Sequence, residues 1–274
     1  MNIQAGSEIE LEILVATMNR DSLDFLNTMF QNEGIENHHI LIINQTSENC
    51  LLTSNMPNVR VINAFDKGLS RSRNLALKHA VGNICLLADD DVIFIKGFSD
   101  MIVHAFKEHQ DCGVLTFKTM TLEGKPYWIY PQKVTNIKPI YRKILSIEIA
   151  LNRQVIIENN LQFDALFGLG ARFEDGENVF FLKSVFSKNI KALFVPEYIV
   201  KHKAFSSSDD VTSERHFFAR GAMNYKLYGP WAYFLLIKLI FSLLRKRLIS
   251  FSDVTKKFMI GIKGIQEYKH IKAY

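Results

Sequence analysis

Hydrophobic positions cluster in short runs separated by polar, helix-spaced segments. Leu11, Ile13, Leu14 and Val15 predict a first strand over residues 10–16. Residues 40–43 predict a second buried strand, residues 59–62 a short third, and Ile84-Cys85-Leu86-Leu87-Ala88 a fourth. Between them, a helix is expected from Leu23, capped by Asp21 or Ser22. Leu75, Ala76, Leu77 and Ala80 form a helical face, with Gly82 as its C-cap. Further on come a helix over 101–109, a strand over 113–120 and a loop over 123–139 punctuated by Gly124, Pro126, Pro131 and Pro139. Alternating strands and helices imply a largely parallel sheet with right-handed crossovers. Ligands of such sheets lie at the carboxyl ends of the strands, where residues 17–20, 44–47 and 89–91 are expected to converge.

The fourth run ends in three carboxylates, Asp89, Asp90 and Asp91. Three anions at the tip of a buried strand repel one another and lose hydration, and a divalent cation is the usual remedy. An isolated Asp triplet reads more simply as an acidic turn. Here it follows Gly68-Leu69-Ser70-Arg71-Ser72-Arg73-Asn74, which places two arginines at the start of the preceding helix. Arginine forks and free helix N–H groups both suit diphosphate oxygens.

This order of Gly-x-Ser-x-x-Arg-Asn, helix, apolar strand and Asp triplet resembles the family-2 glycosyltransferases, which have the GT-A fold. Downstream, Phe167-Gly168-Leu169-Gly170-Ala171-Arg172 with Asp175-Gly176-Glu177-Asn178 is similar to the acidic acceptor-side motif of that family. Residues 195–202, ending in His202, are similar to its last donor-side strand. The resemblance implies a Rossmann-like α/β fold, a mainly parallel sheet flanked by helices. It further implies an inverting, hexosyltransferase-like enzyme that moves a sugar from a nucleotide-diphosphate donor to a saccharide or lipid-linked saccharide.

By the same resemblance, Asp91 and His202 are the expected ligands of Mn2+ or Mg2+, and Asp89 or Asp90 contacts the ribose. Arg73 meets the diphosphate, and Thr17, Asn19 and Gln45 line the nucleotide site. The family often has an aromatic residue at the position of Met18 and an aspartate at that of Gln45. A glutamine amide can still donate to and accept from a uracil edge, so a UDP-linked donor is expected with the base left open. The general base is expected at Glu177, in the first turn of a helix over 177–185, with Asp175 as second choice because Gly176 interrupts the usual acidic pair. Glutamate there also suits a helix dipole without any catalysis. Tyr127, Trp128 and Tyr130 either stack on a sugar or pack the loop.

Composition narrows the setting. At 48% hydrophobic and 22% charged residues, the chain has the make-up of a globular domain. Cys50, Cys85 and Cys112 show no ligand-like spacing, which points to a reducing compartment without structural zinc. Residues 1–12 are polar and hold no signal-peptide-like stretch. The net charge of +5 is concentrated in residues 238–274, where nine Lys or Arg face only Asp253 and Glu267. No nucleic-acid motif accompanies that charge, so an anionic surface is the expected partner. The division expected is a transferase domain over 1–225 and a basic helical extension over 226–274.

Within the extension, Lys238, Ser242, Arg245 and Lys246 form one polar stripe on an otherwise apolar helix over 231–248. The readings are an in-plane membrane contact, or packing on the domain or in a homodimer. The expected location is cytoplasmic or peripheral on the inner face of the cell membrane, by analogy with bacterial surface-polysaccharide assembly. Two other functions are weighed: a non-catalytic sugar- or lipid-binding relative, and a haloacid-dehalogenase-type phosphatase. The phosphatase motif would end the first strand, whereas several strands precede Asp89; Asp209-Asp210, in a loop expected over 206–210, would have to supply its later acids.

Overall fold

A computed structural model of the chain describes residues 10–204 and 211–273; the 206–210 loop lies outside the described residues. The chain divides into two compact units. The first takes in residues 1–67, 71–163 and 178–204, the second residues 68–70, 164–177 and 205–274. The boundary expected at 225 falls inside a helix of the second unit, Glu214–Tyr228.

In the first unit, β1 (Leu11–Met18), β2 (His39–Gln45), β3 (Val59–Ala64) and β4 (Ile84–Asp89) pair in parallel in the order β3-β2-β1-β4. The two-residue β5 is Ile93–Phe94 and β6 is Val114–Thr121, followed by β7 (Thr135–Asn136), β8 (Ile149–Asn152) and β9 (Ala192–His202). The antiparallel β8 joins β4 to β6, and β9 runs parallel to β6. The sheet is thus mostly parallel, with β5, β7 and β8 reversed, and the expected α/β fold is present.

Both faces of the sheet are covered, which is why its central strands are apolar throughout. On one face Ile13, Val15, Ile40, Ile42, Leu86 and Ala88 pack with α1 (Asp24–Met29) and α3 (Phe98–Glu108). On the other, Leu14, Leu41, Ile43 and Leu87 pack with α2 (Leu69–His79), α4 (Arg153–Glu158) and α5 (Glu177–Ser187). Burying these positions supplies most of the drive to fold, at about 25 cal/mol per Å² of apolar surface.

Two local expectations are corrected. Leu23, not Asp21 or Ser22, holds the cap position of α1, and it makes no side-chain cap bond. Ser22, one residue earlier, still accepts the backbone N–H of Asp24 at 3.4 Å and donates to its carboxylate at 2.8 Å. Gly82 is not a left-handed C-cap. Its backbone N–H donates to the buried Glu12 carboxylate at 3.0 Å, and a Cβ there would lie 2.6 Å from Glu12 Cβ. Gly82 is required by close approach.

The second unit is built on α6 (Glu214–Tyr228), α7 (Ala232–Arg245) and α8 (Val254–Ala273). α6 and α8 meet backbone to backbone. A side chain on Gly221 would overlap the Gly261 carbonyl, and one on Gly264 would overlap that of Phe218. Ser213 caps α6 by accepting from His216 N–H at 3.2 Å.

Candidate functional site

The parallel registers set the carboxyl ends of three strands side by side: Ala16 pairs Asp89, and Met18 pairs Gln45. Asn19 turns the chain in the left-handed region at φ 52°, which asparagine tolerates well, and donates its N–H to the Gln45 carbonyl at 2.8 Å. The fully buried Asn44 fastens this turn, bonding both Arg20 backbone groups at 3.0–3.1 Å and Asn63 at 3.0 Å. Residues 17–20, 44–45 and 89–91 therefore converge, while Thr46, within the 44–47 expected there, bonds Ala64 and Cys50 instead.

Each member of the Asp triplet has its own partner. Asp89 meets the Arg73 guanidinium at 3.1 Å and accepts from Ser146 at 3.4 Å. Asp90 accepts from the Thr17 hydroxyl and from Arg20 at 2.8 Å. Asp91 lies 3.3 Å from His202 Nε2. That contact depends on β5, whose antiparallel pairing of Ile93 with Lys201 brings the chain after Asp91 back along β9. The hydrogen bond to His202 lowers the Asp91 carboxyl below its ordinary range against the pull of burial. The same bond raises His202 above 6.5, again against burial.

Arg73, only 3% exposed, also bonds Asn178 at 3.3 Å and lies over Phe163. Where a diphosphate contact was expected, the structure places this guanidinium against Asp89. Arg71 is exposed and 3.8 Å from Asp66. Sequence reasoning gave Arg20, Ser146 and Asn178 no role of their own. Arg20 sits in the turn after β1 that the strand-end rule had singled out and Asn178 closes the acidic motif, whereas nothing local marks Ser146. Trp128 and Tyr130 pack the loop: Tyr130 is buried and, like Trp128, bonds Glu148. Tyr127 lies beside the His202 ring at 6.0 Å between centroids.

Among the described residues no group of three His, Cys, Asp or Glu side chains is arranged to hold a metal. Asp91 and His202 nevertheless suit a divalent ion that arrives with a diphosphate, since such ions take only one or two protein ligands and fill the rest with phosphate oxygens and water.

The acidic motif belongs to the second unit. Gly168 (φ 103°) and Gly170 (φ 72°) give its loop a backbone that residues with a side chain rarely adopt. The loop is tied to the Gly-x-Ser stretch, Leu69 N–H donating to Leu169 O at 2.9 Å and Ser70 Oγ to Phe167 O at 2.6 Å. Asp175 is ion-paired to Arg220 at 3.0 Å and Glu174 to Arg215 at 2.9 Å. Glu177 opens α5 and is half-buried; a Cβ on Gly168 would lie 3.2 Å from its Cβ.

The model of "Glycosyl transferase family 2" matches residues 13–176, and the chain belongs to that family. It is a glycosyltransferase using a nucleotide-sugar donor, and the phosphatase alternative falls away. No curated protein sequence matches the chain. The structure of S. aureus TarS 1–349 in complex with UDP-GlcNAc is similar with a TM-score of 0.59 at 14% identity, over 95% of this chain and 71% of that one. TarS 1–349 alone gives 0.57 at 13% identity, over 92% and 81%. Against S. aureus TarS itself the match (TM-score 0.53, 15% identity) takes in 85% of this chain but 43% of that one. At these identities the likeness establishes the fold, which is GT-A-like.

Proposed function

We propose that the protein is an inverting, metal-assisted hexosyltransferase that uses a UDP-linked sugar and a saccharide or lipid-linked saccharide acceptor, in bacterial surface-polysaccharide assembly at the cytoplasmic face. The observation that carries the reading is the convergence of Thr17, Asn19, Gln45 and the Asp triplet at one set of strand ends in a chain of this family. The UDP-GlcNAc complex of a neighbour with the same fold supports the choice of donor.

Asp89, oriented by Arg73, or Asp90, oriented by Thr17 with Arg20, accepts a hydrogen bond from a ribose hydroxyl. The Gln45 amide reads the base edge, and exposed Met18 offers apolar contact beside it. Asp91 and His202 would hold a divalent ion, which would supply positive charge to the leaving diphosphate. Glu177 takes the proton of the acceptor hydroxyl as its oxygen bonds the anomeric carbon. The bond from that carbon to the phosphate oxygen breaks in the same step, and UDP departs with the electron pair. One displacement gives one inversion.

The test is UDP release from UDP-hexoses by the full chain, with and without saccharide acceptors and Mn2+. Turnover that disappears in Glu177→Gln, with donor binding kept, is the expected result. UDP that binds but is never released from any sugar would instead indicate a non-catalytic relative.

A further inference from the structure

Helix α7 is apolar on two opposite faces. Ala232, Leu236, Ile240 and Leu243 are buried, and the last three pack with Phe217 and Ile249 inside the second unit. At 3.6 residues per turn, Phe234, Ile237 and Phe241 project on the other side, with Trp231 just before them and Leu248 and Phe251 just after. All six are exposed, Trp231 at 71%, Phe241 at 67% and Phe251 at 86%. Lys238 and Arg245 share this outer face, and Lys246 and Arg247 follow at once; all four are exposed. Between Glu214 and Asp253 the chain has no acidic residue.

We infer that this outer face of α7 is a docking surface for an anionic lipid bilayer, lying in the plane of the headgroups. Charge complementarity selects the occupant. A second copy would bring the same cations to the contact with no anion from this stretch to meet them, whereas anionic headgroups neutralise them and acyl chains receive the aromatic rings. The Lys238 stem can lie along the apolar surface with its ammonium among the headgroups.

The stretch Glu214–Arg245, which is interrupted at Gly229 (φ 57°), is by length and composition apolar enough to cross a membrane. Two features favour the in-plane arrangement. The inner face of α7 is already packed on protein, and its 14 residues span about 21 Å, short of the ~30 Å hydrocarbon core.

The test is co-flotation of the full chain with vesicles of equimolar phosphatidylglycerol and phosphatidylcholine, and with phosphatidylcholine alone. Binding to the anionic vesicles at low salt, released by high salt, is expected. Arg245→Gln/Lys246→Gln/Arg247→Gln should lower partitioning roughly a hundredfold, and Phe241→Ser roughly tenfold. These positions are exposed, and the thermal shift produced by UDP reports whether each variant remains folded. Absence of flotation at low salt would overturn the inference, as would variants that float like wild type or binding that resists high salt. A dimer that Phe241→Ser converts to monomer, in a chain that ignores vesicles, would assign the face to self-association. UDP release is followed on the same samples, so a wild-type chain that turns over yet ignores the anionic vesicles counts against the surface and leaves the proposed reaction standing.

Discussion

Two acidic clusters, one in each compact unit, manage the same electrostatic problem differently. At the end of β4 the partners of Asp89, Asp90 and Asp91 come from sequence-distant elements, Arg73, Arg20 and His202. In the loop before α5, Glu174 and Asp175 are both served by α6, through Arg215 and Arg220. The burial of one cation sets them apart: Arg73 beside Asp89 is 3% exposed, whereas Arg20 beside Asp90 is 43% exposed and Arg215 and Arg220 are each 37% exposed. The Arg73 pair fixes Asp89 in place; the pairs of the second cluster, like that of Arg20, are adjustable surface pairings. Three adjacent aspartates need positive charge, but the chain supplies most of it, leaving Asp91 with His202 as the pair suited to a divalent ion.

The largest effect that could break this comparison is catalytic. Glu177→Gln keeps the shape of the acidic loop but cannot accept a proton, so steady-state turnover should fall roughly two to four orders of magnitude. If Asp175→Asn shows that loss and Glu177→Gln does not, the base is the arginine-paired acid and the contrast between anchored and reactive carboxylates dissolves.

A third acid sharpens it. Glu148 is fully buried and meets neutral donors from Tyr130, Trp128 and the Leu145 backbone. Burial pushes its carboxyl up to about 7, so the folded chain holds this proton more tightly than the unfolded one. The resulting stability is complete below about pH 4.5 and is lost as pH rises through about 7, in all about 3 kcal/mol. Urea unfolding across that range should show the decline, flattened in Glu148→Gln; an unchanged slope would contradict it.

Arg73→Gln should destabilise by about 2–3 kcal/mol, because it leaves Asp89 beside a buried, unmatched site. Arg220→Gln, on a half-exposed pair, should cost less than about 1 kcal/mol, and exposed Arg71→Ala no more than about 0.5 kcal/mol. Chemical denaturation of the three variants measures all of this. Equal losses would erase the distinction between buried and surface pairing.

The parallel half of the sheet was legible because its strands are long apolar runs: β1, β2, β3 and β4 lie within a few residues of their expected bounds. β5, β7 and β8 were not, since two to four residues carry no periodicity. The cost of that blindness falls on the site. β5 brings Asp91 to His202, a proximity expected only from family resemblance. The strand-end rule brought Thr17, Asn19, Gln45 and the Asp triplet together correctly. It gave no sign that Arg73 is buried, since burial follows from Asn178 and Phe163, about a hundred residues away in sequence.

The most direct measurement is the thermal stability of the wild-type chain and of Asp91→Ala, titrated with UDP in the presence of Mn2+ and in excess chelator. Binding to the folded state alone adds about 2.7 kcal/mol of stability at a hundred times Kd. The wild-type Tm is expected to climb with UDP and further with Mn2+, and Asp91→Ala to lose only the Mn2+ increment. A wild-type Tm indifferent to UDP, with and without the metal, would contradict it.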